Sequence, residues 1–324
     1  MPSHSVILGA GVVGQLFGAA LHRHGHRVTF VTRPDKREAL AEKGIHLAPK
    51  RGEAIRVESF EDGPAQEAGG PPGLVTTLDG LDGMTYLFVC VRSDQLSEAF
   101  DQIGALGKTG ATGVACCPMW RWNSEQLPAN IARWAYLLPG VAGVFHGPQV
   151  SYKLHTTSVA ALGDSPPETA QGVATLLREA GIPTRTRSGL MKEMQTILAA
   201  GMPLLAGVGA AYYDLQTFCR DPVLIRMTAQ AQRDALIALK AMGEPLGLLG
   251  NLARTLPMPV TGMGLRLMNP LLRGLNREMI ETHFRKTHGQ TIHLLRELDR
   301  AASARNVSSP HLTALLAKEP AAAP

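Results

Sequence analysis

The string Gly9-Ala10-Gly11-Val12-Val13-Gly14 constrains this chain more than any other feature. It follows a short apolar run, Ser5–Leu8. It precedes a segment, Val13 to His24, in which Val13, Leu16, Phe17, Ala20 and Leu21 recur at helical spacing. The pattern predicts a buried strand, a tight turn and a helix stopped by Gly25. In such a unit Gly9 permits the turn, and Gly11, lacking a Cβ, lets backbone approach a pyrophosphate. Gly14 lets the helix pack closely on the strand. The helix start offers N–H groups and a partial positive charge to the phosphates. Gly9, Ala10, Gly11, Val12, Val13 and Gly14 are therefore expected to hold a dinucleotide. The other reading is a glycine-rich turn with no ligand.

The next strand, predicted at Arg27–Thr32, narrows the choice of dinucleotide. An acidic residue at this strand tip holds the ribose 2′-hydroxyl of NAD, whereas arginine suits the 2′-phosphate of NADP. Here the tip is Arg33, followed by Pro34-Asp35-Lys36-Arg37, and Asp35 comes two residues late for the usual acid. Arg33 and Lys36 point to NADPH. Alternatively, they only solvate the following helix.

Beyond this point strands and helices alternate. Helix is predicted over 35–43, short paired strands at 45–48 and 54–58, and a buried strand at 86–91. A helix over 93–103, a strand at 113–117, a helix over 169–180 and an edge strand at 182–186 follow. Apolar strands alternating with helices imply a parallel sheet covered on both faces. After Ser188 only long helical patterns remain, at 191–215, 223–242 and 276–304. The reading is an α/β domain over residues 1–187 and an all-helical domain over 188–324.

Composition closes off several classes. Apolar residues make up 45% of the 324 and charged residues 18%, enough for a large core and too apolar for wholesale disorder. Four cysteines without a C-x-x-C pair argue against a disulfide scaffold or structural zinc. His22, His24 and His26 straddle the Gly25 stop and cannot converge easily on one ion, so no metal is expected. No basic leader precedes the first apolar run, and the most apolar stretch, 197–212, is broken by Gly201, Pro203, Gly207 and Gly209. A soluble, cytoplasmic protein that spans no membrane is expected. Residues 251–324 carry ten Lys/Arg against five acids, which accounts for the whole net charge of +5. The basic residues form no run and no aromatics interleave with them, so nucleic acid is not expected as a partner. A positive field over an anionic small molecule fits better.

The chain resembles the ketopantoate reductase family. The resemblance is carried by VILGAGVVG, HGHRVTFVTR, ALAEKGIHL, VCVRSDQLSEAF, EAGIPTRTR and ARNVSSPHLTALL, in that order along nearly the whole sequence. It implies a Rossmann-like doubly wound domain and a helical domain, with NADPH and a 2-oxo acid in the cleft between them. It also implies that Val91, Arg92 and Gln95 border the coenzyme, and it allows a homodimer through the helical domain. Where the family has Lys-x-x-Gln this chain has Arg92-Ser93-Asp94-Gln95, and where it has Gln-Asn-Gly this chain has Cys117-Pro118-Met119-Trp120. Anchored on Pro203, the family's catalytic Lys and two Asn fall on Met194, Leu198 and Met202. Its substrate-binding Glu falls on Gln290.

These exchanges remove a proton donor and several polar groups, which implies a larger, more apolar substrate. Met194, Leu198, Met202 and Trp120 become candidate substrate contacts, with Lys286 beside them. Trp120 is read as an aromatic wall or, alternatively, as a packing anchor. Lys192 and Gln290 are candidates for the catalytic polar groups. His283, Lys286, Gln290, His293 and Glu297 form one stripe on the predicted last helix, which also reads as a solvated face. Cys116 and Cys117, adjacent on a strand, would face opposite ways and so form no redox pair. The expected activity is NADPH-dependent reduction of a C=O or C=N bond in a relatively apolar, anionic small molecule. The alternatives are a non-redox cyclisation or isomerisation on the same fold, and a dinucleotide sensor without turnover.

Overall fold

A computed structural model describes residues 3–50, 52–267, 277, 281–282 and 284–318. The chain divides into two units. One comprises residues 1–118 and 122–190; the other comprises Met119–Arg121 and residues 191–324. The chain therefore leaves the first unit for three residues, returns, and leaves again after Leu190.

The first unit opens with strand β1 (His4–Leu8), helix α1 (Val12–Arg23), β2 (Arg27–Val31) and α2 (Pro34–Lys43). Strands β3 (Ile45–Pro49), β4 (Ile55–Val57), β5 (Glu61–Asp62), β6 (Gly73–Val75) and β7 (Tyr86–Val89) follow. Next come α3 (Leu96–Gly104), β8 (Thr109–Ala115), β9 (Ile131–Leu138), β10 (Val141–His146), β11 (Gln149–Leu154) and β12 (Thr157–Leu162). Helix α4 (Pro167–Glu179) and β13 (Thr184–Thr186) complete it.

Among the described residues these strands make a nine-stranded sheet, ordered β13-β12-β9-β8-β7-β1-β2-β6-β5, and a four-stranded sheet, β10-β11-β3-β4. In the large sheet every neighbouring pair is parallel except β9 with β12. The expected parallel sheet is thus present with one antiparallel pair, where short connections between β9 and β12 reverse the chain. The architecture is α/β, Rossmann-like, with a separate helical unit.

Burial explains why these residues form these strands. All five residues of β1 are buried, and Ile7, Phe17, Phe30 and Phe88 are fully so. Each such side chain contributes about 1.5–3 kcal/mol of burial. Helix α1 touches β1 and β2 of the large sheet and β3, β4 and β10 of the small one. It lies so near β2 that a Cβ on Gly18 would stand 2.3 Å from the Phe30 ring.

The helical unit comprises α5 (Leu190–Ala210), α6 (Leu215–Arg220), α7 (Pro222–Ala241), α8 (Leu248–Thr255), α9 (Met258–Arg266), α10 (Phe284–Lys286), α11 (His288–Ser303) and α12 (Pro310–Leu316). The helix expected at 191–215 stops at Ala210, and a second helix, α6, begins at Leu215. Tyr212 and Tyr213 take left-handed φ values of 55° and 62°, and the Asp214 side chain caps α6 by accepting from the Gln216 and Thr217 N–H groups. The expected helix at 93–103 begins as a 3-10 turn, Ser93–Gln95, before α3. The start of the helix expected at 276–304, with Ile280 and His283, lies largely outside the described residues. Among the described residues no helix is long and apolar enough to cross a membrane.

Candidate dinucleotide-binding site

The glycine loop joins β1 to α1. Gly9 has φ +101°, and its N–H donates to Val31 O at 2.9 Å. A Cβ there would stand 2.8 Å from Cys90 O, so this position is closed both by conformation and by space. A Cβ on Gly14 would stand 2.0 Å from Gly9 O and 3.1 Å from Ile7 Cγ2, which ties α1 to the turn. Gly11 differs from both. It is exposed, caps α1 with φ −76° and ψ −171°, and a Cβ there would meet nothing within 4 Å. Two glycines thus serve the protein's own packing, whereas no packing contact among the described residues requires the third.

The start of α1 has no side-chain cap and no acidic residue in its first turn. Its first intrahelical bond runs from Gln15 N to Gly11 O at 2.9 Å. Helix geometry leaves the N–H groups of Val12, Val13 and Gly14 without an intrahelical acceptor. Gln15 is buried and turns back, its Nε2 donating to Ala10 O at 3.0 Å. The loop also lies where the strand order reverses: β2 is on one side of β1 and β7 on the other. In open α/β sheets that crevice takes the ligand.

At the tip of β2, Arg33 has a side chain 74% exposed and, among the described residues, one loose carboxylate partner, Asp35 at 3.4 Å. Such a pair in water contributes little. Lys36 Nζ lies 4.8 Å from the centre of the Phe145 ring. Arg37 pairs with Asp62, and its Nε donates to Leu74 O at 3.4 Å. A cavity of about 320 Å³ beside these residues is lined by Pro34, Arg37, Asp62, Thr76, Thr77 and Asp79.

After β7, Cys90 N donates to Leu8 O at 2.7 Å, which brings this loop beside the glycines. Val91 Cγ1 would lie 3.2 Å from a Cβ on Gly9. Arg92 folds onto Asp94 with two bonds, 2.9 and 2.8 Å, and its backbone N–H donates to Gln95 Oε1 at 3.4 Å. Ser93 Oγ donates to Pro118 O. Val91, Arg92 and Gln95 are thus gathered near the glycine loop, with Arg92 already engaged by a carboxylate.

In the helical unit, Met119–Arg121 are pinned by three side chains. Trp120 is fully buried and donates from Nε1 to Leu294 O at 2.9 Å. Gln195, also fully buried, accepts the Arg121 N–H at 2.8 Å, and its Nε2 lies 3.2 Å from Met191 O and 3.4 Å from Met119 O. Arg121 Nε donates to Glu244 Oε1 at 2.6 Å. Trp120 is therefore the packing anchor of the two alternatives, and the expectation of an open aromatic wall is corrected. Arg121, Gln195 and Glu244 were not singled out by sequence. The one local signal was a glutamine, Gln195, next to Met194 and just before the apolar run that starts at Ile197.

Residues 5–117 match the sequence profile of the family described as ketopantoate reductase PanE/ApbA. The match covers about a third of the chain, and over that segment the chain is similar to the ketopantoate reductase family. No curated protein matches the chain in sequence. Solved structures match it in fold over nearly the full length. A PanE/ApbA family ketopantoate reductase from Ralstonia eutropha JMP134 shares 17% identity, covering 97% of this chain and 96% of that one, with a TM-score of 0.69. A 2-dehydropantoate 2-reductase from Geobacter metallireducens GS-15 shares 15%, covering 97% and 98%, with a TM-score of 0.71. A ternary structure of D-mandelate dehydrogenase with NADH and anilino(oxo)acetate shares 17%, covering 98% of each chain, with a TM-score of 0.69.

The positions that depart from the ketopantoate reductase pattern have distinct environments. Met194, Leu198 and Met202 are 4%, 1% and 9% exposed, so they lie in the core of the helical unit. Lys192 is exposed in the first turn of α5, Lys286 is exposed at the end of α10, and Gln290 is half-buried in the first turn of α11. His293 lies 3.6 Å from Glu297 one turn on, and both side chains are partly buried.

Cys116 and Cys117 follow β8 rather than lying on it, and both are buried. Burial raises both thiols, Cys117 to about 12, which makes them poor nucleophiles. His24 Nδ1 lies 2.9 Å from Ala20 O and His26 Nδ1 lies 3.0 Å from Ser3 Oγ. Among the described residues no group of three His, Cys, Asp or Glu is placed to hold a metal.

Proposed function

We propose that the chain is an NADPH-dependent oxidoreductase that reduces a C=O or C=N bond in a relatively apolar, anionic small molecule. The observation that carries this reading is Gly11: a helix start with no side-chain cap, and a glycine with open space where its Cβ would be and no packing contact among the described residues that requires it. The ketopantoate reductase match supports it. So does the bound NADH and 2-oxo acid analogue named for the mandelate dehydrogenase.

Residues 1–187 would bind the coenzyme, and residues 188–324 would supply substrate contacts and any dimer contact. Gly9 to Gly14 would hold the pyrophosphate on the start of α1. Arg33, exposed and loosely paired, would take the 2′-phosphate, with Lys36 adding charge; this favours NADPH over NADH. Val91, Arg92 and Gln95 would border the reactive half of the coenzyme. When bound, NADPH supplies the hydride.

The protein must then orient the carbonyl and deliver a proton. Lys192 and Gln290 are the proposed polar groups for that step, with Met194, Leu198, Met202 and Lys286 as the proposed substrate contacts. The proposed setting is cytoplasmic. The test follows absorbance at 340 nm with NADPH and a panel of 2-oxo acids. Coenzyme consumption that falls at least tenfold in Lys192→Met supports the assignment. Turnover without coenzyme, unaffected by Arg33→Ala, would point instead to a non-redox reaction.

A further inference from the structure

From Pro245 to Arg277 the sequence has ten leucines, three methionines and four arginines, and no acidic residue. Helices α8 and α9 lie in this stretch, and both pack on α7. Glycines set their inward faces. A Cβ on Gly250 of α8 would stand 2.6 Å from Thr196 Cγ2 of α5, and one on Gly262 of α9 would stand 3.5 Å from Ile225 Cγ2 of α7. Leu265 is buried on the same side of α9 as Gly262.

The opposite faces are apolar and open to solvent. At about 100° per residue, Leu248 and Leu252 stand opposite Gly250, and Val260, Met263 and Leu267 stand opposite Gly262 and Leu265. Leu248 is 86% exposed and the other four are 44–59% exposed. Among the described residues nine large apolar side chains are exposed, and these five fall within residues 248–267. Such a gathering marks a surface that meets an apolar partner.

The charges beside it have one sign. From Pro222 to Leu267 there are five Lys/Arg and two acids. Both acids are withdrawn from the surface: Asp234 accepts from the N–H groups of His311 and Leu312 at 2.8 and 3.3 Å, and Glu244 is buried. Asp221, the cap of α7, is engaged by the Val223 and Leu224 N–H groups. Arg226, Lys240 and Arg266 are exposed and pair with no carboxylate among the described residues. Arg226 and Lys240 share their face of α7 with exposed Val223 and Ile237.

We infer that α7, α8 and α9 present a surface that attaches the chain to an anionic lipid bilayer. Leucine and methionine edged by unpaired cations suit that boundary, where apolar side chains enter the acyl region and cations meet phosphate headgroups. A second copy of the chain suits it less. A two-fold interface pairs the face with itself, and the face has no exposed acid to meet its own cations. The attachment is peripheral, since no described helix is long and apolar enough to cross a membrane. It stands independently of the coenzyme and of the reaction.

The test sediments the full chain with vesicles of phosphatidylcholine alone, or of phosphatidylcholine with phosphatidylglycerol, at low and high salt. Wild type is expected to bind the anionic vesicles at least about tenfold more tightly, and to lose that preference in high salt. Arg226→Gln, Lys240→Gln and Arg266→Gln together are expected to weaken binding roughly a hundredfold, about fivefold for each charge. Leu248→Glu with Met263→Glu is expected to abolish binding and to melt with wild type, because both side chains are exposed. Should the glutamate variant fail to fold, the glutamine variant decides on the same criterion. Wild type that binds neither vesicle, binds both equally, ignores salt or is indifferent to both sets of substitutions would overturn the inference. A wild type that ignores vesicles but forms a dimer that the glutamate variant dissociates would give the face to a second copy, and would overturn it as well.

Discussion

Gly11→Ala and Gly14→Ala add the same methyl group three residues apart, and the structure assigns them different consequences. At Gly11 the backbone is extended and the new Cβ meets nothing within 4 Å. The only intramolecular cost is that alanine caps a helix less well than glycine, about 1 kcal/mol or less. At Gly14 the Cβ would stand 2.0 Å from Gly9 O, a backbone atom that cannot rotate away. Helix α1 must then move off the turn, at a cost of about 1–3 kcal/mol or more. For a unit of this size that is a fall in Tm of about 2–4 °C per kcal/mol. Thermal melts paired with NADPH fluorescence titrations separate the two effects. Gly11→Ala should melt within a few degrees of wild type yet bind NADPH at least tenfold more weakly, a loss of about 1.4 kcal/mol. Gly14→Ala should lose both stability and affinity. If Gly11→Ala bound NADPH as tightly as wild type, the open space over Gly11 would not be a phosphate site, and the assignment would fail.

Acid should weaken the α/β unit through His4, which is 5% exposed, lies 3.1 Å from Thr29 Oγ1 and is lowered from 6.5 to about 4, first by burial and then by Arg27. Its folded pKa is below its unfolded one, so the unfolded chain binds the proton first and stability falls as pH drops through that window. From pH 7 to pH 5 the loss is about 2 kcal/mol by linkage, and His4→Gln should shrink that difference in urea titrations; an unchanged difference would refute the account. Trp120→Ala should destabilise the helical unit by about 3–5 kcal/mol, as expected for a fully buried tryptophan, whereas Trp120→Phe should cost much less; urea midpoints decide, and equal losses would contradict the packing role.

The sequence made local features legible and distant pairings much less so. The β1–α1 turn, the Arg33 tip and the alternation through β8 could be read because each signal lies within about ten residues. The strands from 131 to 162 could not. Their burial patterns are irregular, as in β9, and their pairing is set by partners such as Leu154 opposite Val141. The break at Tyr212 and Tyr213 was hidden inside an apolar run, and only the Asp214 cap marks it.

The same limit applied to the site. The glycines and Arg33 were visible, but Arg121 and Glu244 are 123 residues apart, and no periodicity links them. Trp120 was noticed for its chemistry, but its burial depends on Leu294, 174 residues away. Met194 and Leu198 were noticed as exchanges within a family pattern, and the fold shows the same residues as core.

The most direct test of the account is calorimetric titration of the folded chain with NADPH and with NADH, for wild type and Arg33→Ala. The account predicts that wild type takes up NADPH at least ten times more tightly than NADH, and that Arg33→Ala removes most of that difference while still binding NADH. Uptake of neither coenzyme by the wild-type chain would contradict it.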